Sequence, residues 1–125
     1  MNFNDIIAIV KSVILKNYVN FEGRATRAEF WWFFLFNLIV SAILSCLGKA
    51  GMWLSSIWSL AILLPQLALG ARRLHDINKS GWWQLIAFVP VVGIIILIVW
   101  WVKEGDATEN QYGPVPQTPT ADTVA

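Results

Sequence analysis

Phe30-Trp31-Trp32-Phe33-Phe34-Leu35-Phe36-Asn37-Leu38-Ile39-Val40 opens the stretch that decides the fold, an uncharged run over residues 30–48 closed on either side by Glu29 and Lys49. A helix needs about 20 predominantly apolar residues to cross a hydrocarbon core of about 30 Å. Two more uncharged runs follow, 50–71 between Lys49 and Arg72, and 80–102 between Lys79 and Lys103. A charge at mid-bilayer costs about 2.5–3.5 kcal/mol on insertion scales, so the position of each break carries information. The competing reading is buried helices of a soluble bundle, but three such runs in 125 residues leave almost no polar face for water. Composition agrees: 57% of the residues are hydrophobic and 14% charged, against about 25% charged in soluble domains. A net charge of +1 offers no attraction to nucleic acid, and a single cysteine excludes an intramolecular disulfide or a cysteine-based zinc site. The expected fold class is an all-α membrane protein with transmembrane helices at 30–48, 52–71 and 81–102.

The tryptophans give an independent reading, because indole rings collect at membrane–water boundaries. With three spans of alternating direction, Trp31, Trp32, Trp82 and Trp83 fall on one side, and Trp53, Trp100 and Trp101 on the other. Trp58 then lies about a turn deeper. Lys11, Lys16, Arg24, Arg27, Arg72, Arg73 and Lys79 lie on the side of the N-terminus, with Lys49 and Lys103 opposite. That bias predicts a cytoplasmic N-terminus and an external C-terminus.

Outside the runs, Phe3, Ile6, Ile7, Val10, Val13, Ile14 and Tyr18 recur at helical spacing, with Asn4, Asp5, Lys11, Ser12 and Lys16 on the opposite face. Residues 3–19 therefore read as an amphipathic helix lying in the membrane interface; Lys11 and Lys16 argue against a signal peptide. Gly48-Lys49-Ala50-Gly51 reads as the hairpin between the first two spans. Pro65, Pro90 and Gly93 should kink the helices that hold them. After Lys103 the composition turns to Gly, Asn, Thr and Pro, which predicts a solvated tail, disordered over 118–125. Residues 1–117 form a single membrane domain on this reading.

Two polar clusters meet at the inner boundary. One is Asn17-Tyr18-Val19-Asn20-Phe21-Glu22-Gly23-Arg24-Ala25-Thr26-Arg27-Ala28-Glu29; the other is Arg72-Arg73-Leu74-His75-Asp76-Ile77-Asn78-Lys79-Ser80-Gly81-Trp82-Trp83. Thr26 is the expected N-cap of the first span, with Glu29 completing a capping box, and Asp76, Asn78, Ser80 and Gly81 supply a turn. These clusters, with Pro90, Gly93, Gly105, Asn110, Tyr112-Gly113-Pro114 and Pro116, resemble the signatures of the DUF805 family, small bacterial inner-membrane proteins of the YhaH type. The likeness runs from about Asn17 to Gln117, with Thr26 and Tyr112 as minor departures from the family pattern. It implies a bacterial inner membrane and brings no reaction.

Arg24, Arg27, Arg72 and Arg73 suggest a guanidinium cluster at phosphate level, oriented by Glu29 and Asp76, with His75 beside them. The simpler alternative is that these arginines are topology anchors and structural ion pairs. His75-Asp76 supplies at most two metal ligands where zinc catalysis uses three, so no metal and no cofactor is expected. Cys46 has no neighbouring base and reads as a small apolar residue. Gln66 beside Pro65 reads as a helix-to-helix hydrogen bond, and Ser41/Ser45 and Ser55/Ser59 as weak contact motifs. The leading expectation is a non-enzymatic module that binds anionic lipid or a membrane partner through Arg24, Arg27, Glu29, Arg72, Arg73, His75 and Asp76. Its expected partners are membrane lipids, a second copy or a larger membrane protein, and no nucleic acid. The alternatives are an oligomeric channel or transporter for a neutral solute and, last, a lipid-phosphate hydrolase. Absence of charged groups within the spans argues against ion coupling.

Overall fold

A computed structural model describes residues 2–120. Every regular element in it is helical: α1 Phe3–Lys11, a π-helical turn Ser12–Lys16, α2 Arg27–Ser45, α3 Gly48–Asp76, a 3-10 helix Gly81–Phe88 and α4 Val92–Val102. Helices α2 and α3 are long and apolar enough to cross a membrane, and α4 is a shorter apolar helix. Thr26 caps α2 as expected, its hydroxyl accepting from Glu29 N at 3.1 Å. Helix α3 ends in a Schellman turn: Asn78 N donates to His75 O and Lys79 N to Leu74 O, both at 2.9 Å. Asn78 takes the left-handed conformation that this turn requires, φ 63°.

The two long helices form an antiparallel hairpin whose turn falls at Cys46-Leu47, two residues before the expected glycine pair. Gly48 through Gly51 already belong to α3. Gly51 is instead a contact point, since a Cβ there would lie 2.0 Å from Leu44 O. Both helices also extend through charged residues where a count of uncharged positions stops. Arg27 and Glu29 begin α2, and Arg72, Arg73 and Asp76 end α3, because most of these charges are buried and paired.

The third uncharged run departs furthest from expectation. It does not form one helix over 81–102: the 3-10 helix and α4 make a hairpin that returns to the end from which it started. At the tip, Val92 N donates to Pro90 O at 2.7 Å across Val91, whose φ of 65° and ψ of −61° mark the rare, strained hand of γ-turn. Gly93 lies so close beneath that a Cβ would sit 1.6 Å from Ile86 O. Eight 3-10 residues at about 2.0 Å each and eleven α residues at about 1.5 Å each give limbs of about 16 Å, half a hydrocarbon core. Going in, Gln84 Nε2 donates to Leu67 O at 3.1 Å. Coming out, Trp101 Nε1 donates to Gly70 O at 3.4 Å, and Trp83 meets Trp100 edge to face with centroids 5.7 Å apart. Trp100 and Trp101 therefore lie at the Trp31, Trp82 and Trp83 end, and the opposed girdle expected of them is not formed. Trp53 remains at the other end.

Helix α1 and its π-turn lean on the flank of the α2–α3 pair. Val13 is buried with Ala25, Phe30, Phe33, Ile62 and Leu69 in the main core. The face buried against the protein is Ala8, Ile9, Ser12 and Val13, whereas Phe3 and Ile7, on the expected apolar face, are exposed. Ser12, expected on the polar face, is covered and its hydroxyl accepts from Asn17 Nδ2 at 3.0 Å. Pro65 does not break α3. It has no N–H for the carbonyl of Ala61, and the Tyr18 hydroxyl donates to that carbonyl instead. Asn37 and Trp58 form the polar bridge between the long helices, Trp58 Nε1 to Asn37 Oδ1 at 2.7 Å. Gln66, expected to form such a bridge, has a buried Oε1 without a partner.

Candidate functional site

Asp76, in the last turn of α3, is the centre of the polar end. Its Oδ1 accepts from Arg24 Nε and its Oδ2 from Arg73 NH1, both at 2.9 Å, with all three side chains at least 94% buried. The remaining donors of these arginines go to backbone carbonyls. Arg24 donates to Thr108 O at 2.9 Å, Gly113 O at 3.1 Å and Asp106 O at 2.6 Å. Arg73 donates to Trp101 O at 3.1 Å, Ala25 O at 3.4 Å and Lys103 O. One carboxylate and two guanidinia thus tie together the loop before α2, the end of α3, the exit of α4 and residues 103–113.

The segment after Lys103 is accordingly packed where a solvated tail was expected. Gly105 lies against Asp76, where a Cβ would come within 1.8 Å of Oδ2. Asp106 N donates to Asp76 O at 2.8 Å, and Asn110 Nδ2 to His75 O at 2.9 Å. Tyr112 stacks on His75 with planes 4° apart and centroids 4.0 Å apart. Thr118, in the stretch expected to be disordered, shares a hydrogen bond with Thr26 at 2.8 Å; residues 121–125 of that stretch lie outside the described residues. The signal for this packing was present in Gly105, Asn110 and Tyr112-Gly113, but nothing in composition says what such residues lie against.

The expected site residues therefore separate. Arg24, Arg73 and Asp76 form the lock. Arg72 and Glu29 make a second buried pair at 3.3 Å, in which Arg72 Nε and NH2 have no partner. Arg27 is exposed and reaches only Val102 O at 3.4 Å. His75 Nδ1 faces Gly23 O at 2.8 Å, so Nδ1 carries the proton and in the neutral ring Nε2 is left as an acceptor. Beside His75, between α3 and the 3-10 helix, runs a groove of about 500 Å³ lined by Phe21, Leu67, Ala71, His75, Ser80, Gly81, Trp82, Gln84 and Leu85. Among the described residues no three of His, Cys, Asp and Glu are grouped to hold a metal.

Two long apolar helices, a half-length apolar hairpin and a buried charge lock at one end describe a small helical membrane protein. The chain belongs to the DUF805 family, described as proteins of unknown function, whose profile matches residues 18–114. It is 47% identical over 108 residues to the inner membrane protein YhaI of Escherichia coli K12, covering 83% of this chain and 92% of that one. It is 40% identical over 112 residues to the inner membrane protein YhaH of the same organism, covering 83% and 93%. These findings make it an inner membrane protein, and the relatives' names carry no activity. No solved structure matches the chain.

Proposed function

We propose that this protein is a non-enzymatic inner-membrane module with two crossings, α2 and α3, and one re-entrant hairpin, residues 81–102. Both its N-terminal segment and its C-terminal segment lie on the cytoplasmic side. The observation that carries this reading is Arg73, which from the end of α3 donates to the carbonyls of Trp101 and Lys103. Residues 101 and 103, at the far end of the third run, cannot touch the helix terminus that leads into its near end if that run traverses the bilayer. The charge bias supports it: with Lys103 moved inward, eight of the nine basic residues lie on one side and Lys49 alone opposes them.

The cytoplasmic boundary is the interaction face in this proposal. Arg24, Arg72 and Arg73 are committed to internal pairs, as the simpler alternative holds, so attraction to anionic headgroups falls to the exposed Lys11, Lys16, Arg27 and Lys103 and to half-buried Lys79, of which Arg27 and Lys79 lie at the lock itself. Each basic group near such a surface is worth about 1 kcal/mol. Lys79 is held over the Trp100 ring at 4.7 Å, at belt depth. In a Cys46→Ser background, a thiol reagent that does not cross membranes should label Lys49→Cys in intact cells and Lys79→Cys only after lysis. Replacing Arg27 and Lys79 by Gln should lower the anionic share of co-purified lipid. Labelling of Lys79→Cys in intact cells, or an unchanged lipid profile, refutes the corresponding part.

A further inference from the structure

The groove beside His75 has a polarity that runs along its length. Its floor is made of small residues, Ala71 and Gly81, which approach so closely that a Cβ on Gly81 would be 2.6 Å from that of Ala71. Large apolar side chains stand at its rims, with Phe21, Leu67, Trp82 and Leu85 all exposed. At the end near the α3 terminus are two polar groups. Ser80 Oγ accepts from Trp82 N at 3.2 Å, which leaves its proton free to donate. His75 Nε2 would be 3.7 Å from a Cβ on Gly81, at the groove floor. Deeper along α3 toward its middle, Leu67 and Leu85 present hydrocarbon, and the polar side chain there, Gln84, has its Nε2 tied to Leu67 O at 3.1 Å.

An amphiphile matches that gradient, and in an inner membrane the surrounding amphiphile is phospholipid. The polar end also specifies the headgroup. The Ser80 hydroxyl suits a phosphate or ester oxygen, while the His75 Nε2 acceptor needs a donor. A volume of about 500 Å³ falls inside the range of about 300–1,000 Å³ typical of ligand sites. We propose that this groove holds one phospholipid whose headgroup carries a hydrogen-bond donor, an ammonium or a hydroxyl, with an acyl chain lying against Leu67 and Leu85. The proposal rests on the membrane reading above but not on which side the C-terminal segment occupies.

The test uses the full chain, purified in mild detergent, depleted of lipid and titrated with phosphatidylethanolamine while native mass spectrometry reads the bound fraction. One lipid should bind saturably, with phosphatidylglycerol comparable and phosphatidylcholine, whose headgroup has no N–H or O–H donor, at least tenfold weaker. Glycerophosphoethanolamine, which has no acyl chains, should not displace it. Leu85→Trp should weaken binding tenfold or more by filling the groove, while Val99→Trp, on the exposed face of α4, should leave it unchanged. His75→Phe keeps a ring against Tyr112 and should erase the preference over phosphatidylcholine. Adducts without saturation, equal binding of phosphatidylcholine, or identical behaviour of Leu85→Trp and Val99→Trp would overturn the proposal. Because Leu85 is an exposed rim residue, that comparison stands even where His75→Phe fails to fold.

Discussion

Replacing Asp76 by Asn tests the lock at its centre. The substitution keeps the shape of the side chain and removes the one charge that Arg24 and Arg73 share. Both guanidinia are buried, with side-chain exposures of 1% and 0%. Removing one partner of a buried ion pair costs about 3–5 kcal/mol, because the surviving charge is left uncompensated. Two charges are orphaned here, but each keeps three carbonyls from segments 25, 101–103 and 106–113. Those dipoles blunt the second loss, and we take the range for one pair as the whole effect. If the lock holds residues 104–113 down, their opening equilibrium rises by roughly two to four orders of magnitude in Asp76→Asn. Hydrogen exchange read by mass spectrometry on the protein in nanodiscs measures this directly, with the Asp106 amide as the reporter of the Asp76 contact. Exchange of that segment unchanged within a factor of about three would refute the idea that this charge cluster fastens it.

Three more outcomes follow from local geometry. Tyr18→Phe should cost about 1 kcal/mol in detergent unfolding and almost nothing in a Pro65→Ala background, where residue 65 regains the N–H that Ala61 O lacks; equal costs in the two backgrounds would break that link. Arg72→Leu should destabilise by about 3–5 kcal/mol, leaving Glu29 buried alone, and adding Glu29→Leu should recover most of the loss. A double variant no more stable than the single one would contradict this reading. Val91→Gly should stabilise by about 1 kcal/mol or more, since glycine takes positive φ without strain; a lower midpoint would mean that the tip is not strained.

Much of the membrane character was legible in the spacing of charges. The first two uncharged runs became α2 and α3, and Thr26 and Asn78 began and ended them as their chemistry suggests. The helix ends were misjudged because a count of uncharged residues cannot know that Arg72, Arg73 and Asp76 are paired inside the fold. The third run was less legible for a different reason: it is two helices and not one. Length and composition establish that a segment tolerates lipid, and they do not separate one passage through it from two half-passages. Pro90 and Gly93 marked the turning point, yet a proline in a membrane helix also reads as a kink.

The arginines show the same division. Their clustering was visible, and so was the role of Asp76 in orienting them. Whether they faced phosphate or each other depended on Gly105, Asn110 and Tyr112, residues whose partners, Asp76 and His75, lie far back along the chain at the end of α3. Composition alone does not show that this segment covers the cluster. The groove leaves no signature in the sequence, because small residues at 71 and 81 become a floor only once the 3-10 helix lies along α3.

The side of the membrane on which the chain ends tests the central claim most directly. Two reporters fused after residue 125 suffice, one that fluoresces only when folded in the cytoplasm and a phosphatase active only outside it. Two crossings and a returning hairpin predict fluorescence with a silent phosphatase. An active phosphatase and no fluorescence would mean that residues 81–102 cross the membrane, and would contradict the account.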